Sequence, residues 1–232
     1  MSTPVAFLIP CKGHSTWKKM NDSHLHKYTL SSFSPEKSHT YIFYIGYDHN
    51  DTYYTQKNIQ IAFIKEYSKY KFRFVAFDKD VIPGHLTKMW NVLFTKALID
   101  DKYFINYFYQ CGDDILFKSK GWVEETIQVL RENKNIGGGG PKTDHPNLLT
   151  QIMITRNHYK FFECLFPEEI FNWGCDDWIN LIYQPKHLFV LNNHNCINSG
   201  GKPRYKTDNY NILALKKKVG EKAFKDKNKI VE

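Results

Sequence analysis

The chain has 232 residues, 42% hydrophobic and 24% charged, a balance that supports one ordinary folded domain and excludes intrinsic disorder. No apolar run reaches the roughly 18 to 20 residues needed to cross a bilayer, and residues 4–10 are too short for a secretory apolar region, so a cytoplasmic protein is expected. Half of the +8 net charge lies in residues 214–232 and only four residues are arginine, which argues against a reader of base edges, so no nucleic-acid partner is expected.

The first half alternates strands and helices. Residues 5–10 form a short apolar run closed by Pro10, Cys11, Lys12 and Gly13, the pattern of a buried strand. A helix is expected over 24–33. Strands follow at 41–47, opening into Asp48-His49-Asn50-Asp51, and at 72–77, closing at Asp78-Lys79-Asp80. Residues 86–99 carry a helical apolar stripe. Residues 103–111 read as a strand running into Gly112-Asp113-Asp114, and 122–133 as a helix. The second half is less regular. Gly137 to Gly140 form a glycine run without the ending of a phosphate-binding loop, suited to close approach of a ligand or a neighbouring strand. A strand at 151–155, a helix at 157–165, the acidic pair Asp176-Asp177 at a loop-to-helix junction and a strand at 188–191 complete the body. The segment 211–232 reads as a basic helix that frays, and an anionic membrane surface or a partner, rather than a nucleic-acid template, is its expected peripheral contact.

This order predicts a single α/β layered domain with a mixed, mostly parallel sheet flanked by helices. Ligands of such sheets sit beyond the carboxyl ends of the strands, where Lys12, Asp48, Asp78, Asp80, Asp113 and Asp114 fall. Carboxylates gathered at one edge repel unless a cation or donors hold them, and a divalent metal with a phosphate ligand is the simplest solution. The five cysteines include no C-x-x-C pair and read as buried free thiols of a reducing compartment.

Three segments in order carry a family resemblance: Pro83-Gly84-His85-Leu86-Thr87-Lys88-Met89-Trp90-Asn91, the run 104–116 with its Gly-Asp-Asp, and the run 166–181 with Trp173-Gly174-Cys175-Asp176-Asp177. Together they resemble a GT-A glycosyltransferase of the family 2 type, with a Rossmann-like fold, over about residues 5 to 205. The resemblance implies a catalytic domain over 1–210, divided into a nucleotide-binding half (1–120) and an acceptor half (121–210). It implies transfer of a sugar from a nucleotide-sugar donor, UDP-sugar first, to a hydroxyl of a glycan, glycoprotein or other acceptor. Mn²⁺ or Mg²⁺ would be held by Asp114 and Asp113, with His194 as a third ligand. Pro10, Lys12, Asp48, Lys88 and Asn91 would lie on the nucleotide side, Lys202 and Arg204 on the diphosphate. Asp177, or Asp176 beside it, would be the general base of an inverting reaction. The chain departs from the family at the first acidic position of the metal motif, which is Gly112 if Asp114 is the last and Cys111 if Asp113 is. Two rival readings use the same residues: a non-catalytic nucleotide- or carbohydrate-binding module, and a polymerase palm, which Gly112-Asp113-Asp114-Ile115-Leu116 also resembles.

Overall fold

A computed structural model describes residues 2–201, 205 and 211–230. In chain order the elements are β1 (Thr3–Cys11), β2 (His39–Tyr47), α1 (Lys57–Glu66), β3 (Lys71–Ala76), α2 (Leu86–Leu98), β4 (Tyr107–Gln110), β5 (Ile115–Phe117) and α3 (Trp122–Glu132). They continue through β6 (Gly138–Lys142), β7 (Ile152–Thr155), α4 (Arg156–Phe162), α5 (Cys175–Tyr183), β8 (Leu188–Asn198) and α6 (Ile212–Lys227). The strands form one sheet in the order β3-β2-β1-β4-β7-β6-β8-β5. β3, β2, β1 and β4 are parallel, β7 runs against both β4 and β6, β8 is parallel to β6, and β5 returns antiparallel on β8.

β1 and β2 are continuous apolar runs because both of their faces are covered. Phe7 and Ile9 pack with Phe33, Phe43, Tyr109 and Trp122 on one side of the sheet, under α1 and α3. Ala6 and Leu8 face Trp90, Phe108 and Trp178 on the other, under α2 and α5. Each such fully buried large side chain contributes about 1.5 to 3 kcal/mol.

The expected helix at 24–33 is a wide-turn π-helix over Leu25–Leu30. Two elements differ more. α1 escapes the sequence pattern because only Ile59 and Phe63 are buried while Ile61 and Ile64 face solvent, which blurs the helical stripe. The strand expected at 103–111 shortens to β4. The glycine run serves a neighbouring strand: a Cβ on Gly139 would stand 2.8 Å from the carbonyl oxygen of Phe189 on β8, and one on Gly138 2.5 Å from Cδ1 of Ile152 on β7.

The C-terminal segment forms α6, which packs on the body. Val219 and Ala223 of α6 are buried against the α2–α5 layer, and Asp226, 2% exposed, accepts the Trp178 indole N–H at 3.0 Å. Lys222 and Lys229 close on the same carboxylate at 2.7 and 2.9 Å. No helix among the described residues is long and apolar enough to cross a membrane. The five cysteines are free; Cys164 is half-buried and the other four are buried.

Candidate active site

The carboxyl ends of β1, β2 and β4 open on one side of the sheet, and a cavity of about 630 Å³ lies there. Pro10 and Lys12 line it at the end of β1, Asp113 and Asp114 beyond β4, and Asp176 and Asp177 at the start of α5. The topology therefore brings both acidic pairs onto one space.

The loop bearing Asp113 and Asp114 is held from two directions. Thr29, fully buried in the π-helix, donates its hydroxyl to the Gly112 carbonyl at 3.4 Å and accepts the Ile115 N–H at 3.1 Å. From the far end of β8, the Ser199 N–H donates to the Asp114 carbonyl at 2.9 Å. Gly200 lies so close that a Cβ there would stand 1.9 Å from Asp114 Oδ2. A side chain at 200 would displace the carboxylate.

Asp113 is buried, and Asp114 and His24 are half-buried. One ligand atom from each of these three lies within 4.8 Å of the others. One imidazole nitrogen and two carboxylate oxygens suit Mn²⁺, and Mg²⁺ less well because that ion favours an all-oxygen shell. His24 sits at the head of the π-helix, between the rings of Trp17 and Tyr28. His194 is directed elsewhere: its Nε2 lies 2.9 Å from Glu125 Oε2, and it is not in the cluster. The π-helix, which docks against β5, brings in a histidine from the opposite end of the chain, and no sequence spacing announces that.

The second pair occupies the first turn of α5, where the helix dipole favours negative charge. Gly174 caps this helix at φ +88°, and a Cβ there would lie 2.9 Å from Val219 of α6. Asn180 ties the turn down: its amide donates to the carbonyls of Asp176 and Leu149 at 2.8 and 2.9 Å and accepts the Leu149 N–H at 3.0 Å. Burial pushes the Asp176 carboxyl up to about 7; the Cys175 thiol, which donates to it, opposes this, and the neighbouring Asp177 charge adds to it.

The other expected residues divide. Asp48 is buried and does not line the cavity; it reaches the rim through the Tyr205 hydroxyl, which donates to Oδ2 at 3.2 Å. Desolvation raises its carboxyl, against the Tyr205 hydrogen bond and the Lys12 charge. The Lys12 ammonium lies 4.3 Å from the centre of the Tyr205 ring. Lys88 is turned away from the cavity and paired with Asp80 at 3.0 Å. Asn91 is committed to the fold: its carbonyl accepts the Leu165 and Phe166 N–H groups and its amide donates to the Phe166 carbonyl. Neither residue lines the cavity, and Asn91 orients the loop leading to the second acidic pair. Lys202 and Arg204 lie outside the described residues. Sequence reasoning missed Gln110, Asp144, His145 and Thr150, which line the cavity; only the pairing of β4 with β7 brings them there.

No protein-family profile and no curated protein sequence matches the chain. Solved structures do. TarS 1–349 from S. aureus in complex with UDP is similar at a TM-score of 0.53 and 12% identity, over 85% of this chain and 60% of that one. Mannosyltransferase PcManGT from Pyrobaculum calidifontis, in complex with GDP-Man and Mn²⁺, gives 0.58 and 10%, over 88% and 59%. The 4-diphosphocytidyl-2C-methyl-D-erythritol synthase of Anaerococcus prevotii gives 0.52 and 14%, over 93% and 96%. The chain thus spans about three fifths of TarS 1–349 and of the mannosyltransferase and nearly all of the synthase. The likeness is one of architecture, and the fold of this chain is GT-A-like.

Proposed function

We propose that the protein is a metal-dependent glycosyltransferase that moves a sugar from a nucleotide-sugar donor, UDP-sugar first, to a hydroxyl of a glycan, glycoprotein or other acceptor, with inversion. The observation that carries this reading is the single cavity onto which Asp113-Asp114 and Asp176-Asp177 both open. His24, Asp113 and Asp114 would hold Mn²⁺ or Mg²⁺, which when bound neutralises charge on the departing nucleoside diphosphate. Pro10 and Lys12 would face the nucleotide. Asp177 or Asp176 would take the acceptor hydroxyl's proton as its oxygen bonds to the anomeric carbon and the bond to the diphosphate breaks. A carboxyl poised near 7, as Asp176 is, suits a base working at neutral pH.

The test is a panel of nucleotide sugars incubated with Mn²⁺, following release of free nucleotide with and without acceptor. Mn²⁺-dependent release is expected; a chain that binds no nucleotide in the presence of metal would sink the reading. The match to nearly the full length of the diphosphocytidyl-methylerythritol synthase supports a second reading, nucleotidyl transfer. Release of pyrophosphate from CTP or UTP with a sugar phosphate would favour it. The second acidic pair on the same cavity, which could serve as a base, supports sugar transfer instead.

A further inference from the structure

Between the two acidic pairs the cavity has a polar floor that neither pair uses. Gln110 closes β4 and is 1% exposed, yet it lines the cavity and its buried Oε1 has no hydrogen-bond partner. Thr150 also lines the cavity, with a buried hydroxyl oxygen in the same condition. Buried polar atoms are nearly always paired, so two orphans on one cavity wall point to a ligand. Their neighbours locate them. Gln110 is three residues ahead of Asp113. Thr150 follows Leu149, whose N–H and C=O are both held by Asn180 of α5, the residue that also holds the Asp176 carbonyl. Thr150 also lies two residues ahead of Ile152, the partner of Gln110 in the β4–β7 ladder.

We infer that Gln110 and Thr150 read hydroxyl or amide N–H groups of the sugar being transferred, and so select the donor. This rests on the glycosyltransferase reading. The chemistry narrows the ligand: an amide Oε1 only accepts, so it needs a donating partner. Phosphate oxygens, unprotonated at the metal, cannot supply one, whereas a sugar ring offers several. A site that hydrogen-bonds a substrate hydroxyl discriminates strongly against an analogue lacking it, because its own buried group is then left unpaired.

The full-length chain with Mn²⁺ is titrated calorimetrically with UDP, UDP-glucose, UDP-galactose, UDP-N-acetylglucosamine, GDP and GDP-mannose. Gln110→Met and Thr150→Val are compared with the parent. Expected is a loss of about 10- to 100-fold in affinity for the preferred nucleotide sugar, with the free nucleotide changed less than about twofold. Because each variant removes an unpaired buried polar atom, the ligand-free melting temperature should hold or rise. Equal losses for nucleotide and nucleotide sugar would place these residues on the nucleotide and overturn the inference. Unchanged sugar-nucleotide affinity, or a ligand-free melting temperature lowered by several degrees, would overturn it as well. If the parent binds none of the six, the glycosyltransferase reading itself fails, and this inference with it.

Discussion

The two acidic pairs are chemically alike and placed oppositely. Asp113-Asp114 follows a sheet strand and is held by the Thr29 hydroxyl and the Ser199 N–H, with Gly200 packed close to the Asp114 carboxylate, and His24 completes a set of donors. Asp176-Asp177 opens a helix, and burial, with the Asp177 charge adding to it, raises the Asp176 carboxyl to about 7. Two carboxylate pairs in different surroundings are thereby suited to different tasks, one to holding a cation and the other to moving a proton.

Exchanging the roles is the sharpest test of that contrast. Asp114→Ala should abolish Mn²⁺-dependent nucleotide binding in calorimetry; binding retained with unchanged metal dependence would move the ligand to Asp113. Asp177→Asn and Asp176→Asn should leave nucleotide binding intact, and the one that removes the base should slow transfer by about 10²- to 10⁴-fold. In the parent, if Asp176 is the base, transfer should fall as pH drops through about 7, where that carboxyl takes up its proton. Its folded pKa is raised, so its contribution to stability is present in acid and is lost as pH rises towards 7. Asp176→Asn should therefore raise the melting temperature more at pH 8 than at pH 5, and equal shifts would count against a desolvated carboxyl.

A smaller effect is expected at His24. His24→Gln should weaken Mn²⁺ binding, read by electron paramagnetic resonance of the free ion, by about tenfold while Mg²⁺ binding changes little. Identical losses for both ions would remove the imidazole from the metal. Asp226→Ala tests the support behind the second pair, since it strands the Trp178 indole and two lysines. A loss of about 1 to 3 kcal/mol in chemical denaturation is expected, discounted for the exposure of the lysines. The smallest effect belongs to His194→Gln, which gives up a partly exposed contact with Glu125; metal affinity should not change.

Much of the frame was legible because its signals are local. β1 and β2 read as strands because interior parallel strands are unbroken apolar runs, and β3, at the sheet edge, because its residues alternate. The Asp pairs stood out because each follows or opens an apolar element. α1 was not legible because its exposed isoleucines mask the buried face; the helix at α6 was legible, but its packing on the body was not, because Val219, Ala223 and Asp226 are few among its lysines. Asn91 and Lys88 were placed on the nucleotide by the order of motifs, whereas the packing of α2 turns Asn91 to the loop at 165–166 and Lys88 to Asp80.

The sequence by itself determined that this is a layered α/β chain with two acidic pairs set at element junctions, and it showed that half of the +8 charge belongs to the last nineteen residues. Tertiary structure decided which side chains share a space: His24 rather than His194 beside the aspartates, both acidic pairs on one cavity, and Gln110 with Thr150 at its floor. The physical reason is that composition and periodicity act over a few residues. A binding site is made by strand order and helix docking, which join residues that no local pattern relates.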